Sequence, residues 1–261
     1  MPAGPVAALL EAFGLERRRH VHLVGGGGKT TLMFAAARAL AAAGRTVLTT
    51  TSTRILWPGP GESECVVQGE AAGPLLARLR GEFARRRHVS AVGGEPGDGR
   101  KVTGLPLETI DALVAARVAD HVLVEADGSA GRPLKAHAAH EPVVSAGADL
   151  VIAVVGATCL GAPVDDAHVH RAALLRERLG LAEGARVSPA DVAGILFHPH
   201  GWLERVAAAT EVAVFVNQAD SPGRAAAARD LAAAIRGHER SGRLARVVVG
   251  DVRSGVFEVA G

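Results

Sequence analysis

The chain has 261 residues, 48% of them hydrophobic, enough to bury the core of one large α/β domain. Its 29 Lys and Arg nearly cancel 27 Asp and Glu, leaving a formal charge of +2, so no dedicated nucleic-acid surface is implied; aromatics at 3% with no tyrosine leave no stacking platform for single strands. Only Cys65 and Cys159 are present, far apart and without a C-x-x-C pair, which argues against a disulfide framework or zinc ribbon and fits a reducing cytoplasm.

In chain order, Glu11 interrupts the first weakly apolar stretch, so this segment does not read as a secretory signal. Residues 21–24 form a short apolar run ending in Gly25-Gly26-Gly27-Gly28, residues 30–43 are rich in alanine and leucine and are closed by Gly44, and residues 47–51 are β-branched and apolar. That sequence reads as strand, glycine loop, helix and strand, a βαβ unit of a parallel sheet. Between Trp57 and Leu105 the pattern weakens. Pro58-Gly59-Pro60-Gly61 opens a loop, residues 71–87 are helical in pattern and 93–99 are turn-rich, so about 57–105 is expected to be a peripheral insertion. Sharper apolar runs follow at 121–124, 150–155, 212–216 and 245–249, most of them separated by helical segments. With no internal repeat or linker, the expectation is a single α/β domain over 1–261: a P-loop NTPase-like three-layer sandwich with a mainly parallel central sheet. The longest uncharged stretch, 150–164, is broken by Gly156, Gly161 and Pro163 and is too short to span a bilayer, so no membrane partner is expected.

The glycine loop carries the clearest chemistry. Backbone N–H groups on Gly25, Gly26, Gly27 and Gly28 can converge on phosphate oxygens without side-chain clashes. Lys29 is placed to reach the β and γ phosphates, Thr30 to ligand Mg²⁺ through its hydroxyl, and Thr31 to add a second hydroxyl, with the positive end of the helix facing the anion. The usual G-x-x-x-x-G-K-[ST] spacing would put a glycine at 23, where this chain has Leu23, so the loop reads as shortened. An ordinary βα turn is the competing reading. Glu125 and Asp127 follow the apolar run at 121–124, where a central strand would end beside the loop. Either carboxylate could serve Mg²⁺ and the other orient an attacking water, which makes Lys29, Glu125 and Asp127 the catalytic candidates and Thr30, Glu125 and Asp127 the metal candidates. On turn chemistry alone, the two acids cap a turn at Gly128.

Thr51, Thr53 and Arg54 follow the second strand as candidate phosphate sensors, against the plainer view that the threonines satisfy strand propensity. Arg132 and Lys135 are candidates to clamp an anionic substrate such as a pterin phosphate, and Arg171 is a further candidate grip; solvated loops are the alternative. Asn217-Gln218-Ala219-Asp220 is similar to the Asn-Lys-x-Asp element of GTP-binding proteins, with Gln218 replacing lysine. Asp220 would then accept guanine N–H groups, and Asn217 would contact the base or brace the phosphate loop. Against this, Ser221-Pro222 reads as a helix start that leaves Asp220 a turn residue. The pairs His168/His170 and His198/His200 have strand spacing but no cysteine partners, so surface and capping roles are preferred over a metal.

Together the 24–32 segment, Thr49-Thr50-Thr51-Ser52-Thr53-Arg54-Ile55, and Val124-Glu125-Ala126-Asp127-Gly128-Ser129 with Arg132-Pro133-Leu134-Lys135 resemble the YqeC-like family. His140-Glu141-Pro142-Val143-Val144 and His168-Val169-His170-Arg171 extend the resemblance to about residues 10–220, while His137 departs from the proline expected after the Lys-Ala pair. Members are described as accessory proteins of selenium-dependent hydroxylases. The resemblance implies a nucleotide-binding factor, using Mg²⁺ with GTP or ATP, in maturation of molybdenum-containing hydroxylases or their cofactor, with a client hydroxylase or cofactor precursor as partner. Such a factor would hydrolyse nucleotide slowly by itself. A small-molecule kinase or nucleotidyltransferase, and a scaffold that binds the client without nucleotide, are the alternatives; a homodimer is an analogy with related P-loop classes.

Overall fold

The computed structural model describes residues 4–94, 96 and 101–261. Within the turn-rich 93–99 stretch, residues 95 and 97–99 lie outside the described residues. The first half of the chain forms α1 (Pro5–Phe13), β1 (His20–Gly25), α2 (Lys29–Ala42), β2 (Val47–Thr51), β3 (Arg54–Leu56), β4 (Val66–Gln68), α3 (Ala72–Phe83), β5 (His88–Val92), β6 (Lys101–Thr103), α4 (Leu107–Ala115) and β7 (His121–Glu125). The second half forms β8 (Leu134–Lys135), β9 (Leu150–Gly156), β10 (Val169–His170), α5 (Ala172–Leu179), α6 (Pro189–Leu196), β11 (Glu211–Asn217), α7 (Pro222–His238), β12 (Leu244–Asp251) and β13 (Val256–Ala260).

Nine strands make one sheet in the order β13-β12-β11-β9-β1-β7-β2-β5-β4. Every neighbouring pair is parallel except β12 with β13. Parallel strands covered on both faces need unbroken apolar runs, and all seven residues of β9 are buried. β1 and β2 are parallel as expected, but they are not neighbours: β7 lies between them and pairs with both. This interposition brings Glu125, at the end of β7, level with Leu23 on one side and Thr51 on the other.

Helices cover both faces, giving the three-layer α/β architecture read from the sequence. On one face α1 and α2 pack Phe13 and Phe34 over Leu23, Ile152 and Phe215. The other face is covered at one end by α5, α6 and α7 around Val155, Val214 and Trp202, and at the other by α3 and α4 over Leu48, Val122 and Val124. The stretch read as an insertion supplies β5 and β4 at one edge of the main sheet, and β6, which pairs antiparallel with β3 in a separate two-stranded ribbon. A second small sheet pairs β8 with β10, matching Lys135 with His170. Among the described residues, no helix is long and apolar enough to cross a membrane. Because the strands are parallel, the C-terminal ends of β1, β2, β7, β9, β11 and β12 share one rim, where open α/β sheets place their ligands.

Candidate functional site

The glycine loop sits at the centre of that rim, between the end of β1 and the first turn of α2. Gly27 has φ 72°, and a Cβ there would lie 2.2 Å from the Gly156 nitrogen; at Gly26 it would lie 2.5 Å from the Arg132 carbonyl oxygen. Only glycine fits such approaches. The sequence places all four loop amides on a phosphate, and the structure corrects this. Gly25 N–H donates to the Asp127 carboxylate (3.0 and 3.1 Å), Gly26 N–H to Val154 O (2.9 Å) and Gly27 N–H to Arg132 O (2.9 Å). The amides of Gly28, Lys29, Thr30 and Thr31 have no hydrogen-bond partner among the described residues; the first amide of the helix to be bonded is that of Leu32, to Gly28 O. These four are the orphan donors of a helix N-terminus, and the anion-binding capacity lies there.

Lys29 is buried and folds back over its own loop. Its Nζ donates to Gly25 O (2.6 Å) and lies 3.2 Å from Asp127 Oδ1 and 3.8 Å from Glu125 Oε1. Glu125 and Asp127 take different positions. The Thr30 hydroxyl donates to Glu125 Oε2 at 2.6 Å, and both residues line the cavity in front of the loop. Burial pushes the Glu125 carboxyl above the usual carboxylate range, Lys29 and Thr30 offsetting part of the effect. Asp127 has no exposed surface and does not reach that cavity. Beyond the Gly25 amide it accepts from His137 Nε2 (2.7 Å) and forms ion pairs with Lys29 Nζ (3.2 Å) and Lys135 Nζ (3.1 Å). Burial alone would raise its pKa, but Lys29, the His137 hydrogen bond and Lys135 hold it far below the ordinary range. The geometry thus separates the two acids: Glu125 faces the cavity, while Asp127 organises the residues behind it.

Lys135 also donates to Gly128 O (2.5 Å) and pairs with Glu141 at 2.9 Å, and Arg171 pairs with the same Glu141. The β8–β10 pairing brings these residues together, and the ammonium of Lys135 is fully enclosed. Arg132 donates through Nε to Asp166 O (2.5 Å) and through Nη1 to Ala130 O (2.9 Å). None of these three cations lines the main cavity, whereas Arg54 does. The Thr51 hydroxyl is buried, donating to Glu125 O (2.7 Å) and accepting from Thr53 N–H (3.1 Å), so it ties the end of β2 to the end of β7. Neither Thr51 nor Thr53 lines the cavity.

Asn217, at the end of β11, donates through Nδ2 to Gly27 O (2.7 Å) and accepts from Val252 N–H (3.2 Å), bracing the loop against the end of β12. Asp220 lines the cavity, but it is exposed and paired with Arg224. Ser221 caps α7 through the Arg224 amide, with Pro222 as the first helical residue. Gln218, in the place of the lysine, takes φ 65° and accepts from the Thr158 hydroxyl (2.6 Å).

The cavity holds about 1290 Å³ and runs from Asp220 and the Asp251–Ser254 turn, past the loop, to the ribbon of β3 and β6. Sequence reasoning treated His137 as a departure and missed its hydrogen bond to Asp127; no local pattern signals it, because β8 places it. Among the described residues no cluster of three or more His, Cys, Asp or Glu is arranged to hold a metal. His168 pairs with Asp165 and His200 with Glu204, both at the surface.

The sequence pattern of the YqeC protein family matches residues 21–173, more than half of the chain, and that span contains the loop, Glu125, Asp127 and Lys135. The uncharacterized protein YqeC of Escherichia coli (strain K12) is 36% identical over 139 residues, an alignment that covers 53% of this chain and about half (54%) of that relative's length. Among solved structures, the hydrogenase maturation factor HypB from Archaeoglobus fulgidus superposes with a TM-score of 0.40 and 12% identity, covering 96% of this chain and 90% of that one. That likeness is too distant to bear on function.

Proposed function

The chain belongs to the YqeC family, and on that premise we propose that it is a nucleotide-binding accessory protein, taking GTP or ATP with Mg²⁺, in the maturation of selenium-dependent molybdenum hydroxylases or their cofactor. One observation carries the nucleotide reading. Four amides that have no partner among the described residues, at Gly28, Lys29, Thr30 and Thr31, open the positive end of α2 onto a large cavity beside a buried lysine. A triphosphate supplies the oxygens these donors lack. Its charge would also draw the Lys29 ammonium from Gly25 O toward the β and γ phosphates.

Thr30 and Glu125 fit Mg²⁺. Both offer hard oxygen donors 2.6 Å apart at the cavity wall, and a two-donor protein set suits an ion that keeps phosphate and water as its remaining ligands. When bound, Mg²⁺ supplies charge neutralisation at the phosphates. Thr30 and Glu125 are the residues that would hold it, and Asp127 would keep Lys29 and the first loop amide in place. Asn217 would fix the loop rather than read a base, and Asp220 lines the nucleoside end of the cavity together with Gln218.

The test is thermal stability with GTP, ATP, GDP, ADP and CTP, with and without Mg²⁺, for wild type and Lys29→Ala. A ligand at about 100 times its Kd adds about 2.7 kcal/mol. For a protein of this size that is a rise of roughly 5–10 °C. The expected result is Mg²⁺-dependent stabilisation by GTP or ATP that Lys29→Ala abolishes, with slow release of phosphate. A flat response to every nucleotide sinks the reading and favours the scaffold. The maturation role is tested separately, by co-expressing a selenium-dependent hydroxylase with wild type or Lys29→Ala: client activity falls with the variant while client abundance does not.

A further inference from the structure

At about 1290 Å³ the cavity exceeds the ~300–1,000 Å³ of an ordinary small-molecule pocket, so a nucleotide would fill only part of it. Its far end is built from different chemistry. In the β3–β6 ribbon the register is Arg54↔Thr103, Ile55↔Val102 and Leu56↔Lys101. Ile55 and Val102 are buried in the core, so strand alternation puts Arg54, Leu56, Lys101 and Thr103 together on the opposite face. Arg54, Leu56 and Lys101 all line the cavity, with the half-buried Trp57 beside them.

Two features of this face call for a ligand. Leu56 is 58% exposed, an apolar side chain left in water at a cavity wall. Arg54 and Lys101 stand on the ribbon's diagonal, where residues are about 7–8 Å apart, close enough for both long side chains to grip one anion. Among the described residues neither has an ion-pair partner, whereas Lys135 and Arg171 are committed to Asp127 and Glu141. Among the described residues Glu62 is the one acid lining this end, and its carboxylate already accepts Gly59 N–H at 2.9 Å.

We propose that the ribbon face is a second-ligand site for a small aromatic anion, a planar ring bearing a phosphate or carboxylate. The anionic group lies between Arg54 and Lys101, and the ring lies against Leu56 and Trp57. The inference rests on the nucleotide reading for what occupies the other end of the cavity. It places an organic co-substrate in the same chamber as the phosphates.

The probe is 4-nitrophenyl phosphate, which has both features and absorbs where tryptophan emits. Trp57 is one of only two tryptophans, and the other, Trp202, is fully enclosed in the core. Saturable quenching is expected in the presence of saturating nucleotide and Mg²⁺. The apparent Kd should rise at least fivefold in Arg54→Ala and in Lys101→Ala, and at least tenfold in Leu56→Asp. Neutral 4-nitrobenzyl alcohol and inorganic phosphate, each with one feature, should compete at least tenfold more weakly. All three substitutions are at exposed positions, and a melting curve on each variant checks that it is folded. Non-saturable quenching, a Kd unmoved by the three variants, or displacement of the probe by nucleotide overturns the proposal. Nucleotide stabilisation of wild type is measured on the same preparation: if it persists while the probe fails, only the second site is refuted; if it is absent, the nucleotide reading falls on its own evidence.

Discussion

Asp127→Asn should be the most damaging isosteric change in the chain. The carboxylate has no exposed surface, accepts from the Gly25 amide and His137, and is ion-paired with Lys29 and Lys135. Asparagine keeps the shape but turns an NH₂ toward donors and leaves two buried ammonium groups without their shared counter-charge. Removing one partner of a buried ion pair costs about 3–5 kcal/mol, a fall in Tm of roughly 6–20 °C for a protein of this size. Because part of the cost comes from Lys135 losing one of its two counter-charges, adding Lys135→Met to Asp127→Asn should cost less than the sum of the two single changes. The pH dependence has a definite sign. Folded Asp127 stays ionised far below the pKa of about 3.9 of an unfolded aspartate, so its contribution is complete above about pH 5 and is lost as pH falls, at up to about 1.4 kcal/mol per unit below about 4. Urea unfolding of both proteins at pH 7.5, 5, 4 and 3 measures this. A loss under about 1 kcal/mol at pH 7.5, or a gap between the proteins that stays constant from pH 5 to pH 3, would refute the reasoning.

Glu125→Gln removes the charge beside Thr30 while keeping an acceptor, so nucleotide stabilisation should persist without Mg²⁺ and lose its Mg²⁺-dependent increment in a thermal titration. Gly27→Ala drives a methyl into the Gly156 nitrogen at a left-handed backbone position and should cost about 2–4 kcal/mol in urea, with loss of nucleotide response. Asp220→Ala removes an exposed pair with Arg224 and should change stability by less than about 0.5 kcal/mol, whereas Ser221→Ala removes the α7 cap and should cost about 1 kcal/mol; equal effects would contradict the capping geometry. His88 is pushed down to about 4 by burial, with Arg38 adding to the effect, while an unfolded histidine takes up its proton near 6.5. Its contribution is therefore full above about pH 6.5 and declines as pH falls toward 4. His88→Gln, which keeps an acceptor for Thr49, should flatten the stability curve across that window.

The long parallel strands were legible because burial on both faces writes continuous apolar runs, as at 150–155 and 212–216. Three-residue strands with one buried position leave no such trace, and β3 and β6 went unseen although they form one wall of the cavity. Lys29, Thr30 and Glu125 were legible as a set because strand, loop and helix are contiguous and β7 ends beside them. The division of labour between Glu125 and Asp127 was not. It depends on Lys135 and His137, which the β8–β10 pairing delivers, and on a bond to Gly25 that spans 102 positions. The same limit applies to the loop amides: the acceptors that claim Gly26 and Gly27 are main-chain carbonyls, invisible to any reading of side-chain types.

The glycine loop is held by Asp127 and Arg132 from the β7–β8 connection, Val154 from β9 and Asn217 from β11, three separate parts of the chain. Its curvature is therefore a property of the assembled sheet, present before any anion arrives. On the proposed nucleotide reading, a guest meeting such a cradle has little chain to organise, and the exchanges left to the protein are side-chain ones, at Lys29 Nζ and at the Thr30–Glu125 bond. On that reading selectivity would belong to the two ends of the chamber, because the middle is a fixed mould.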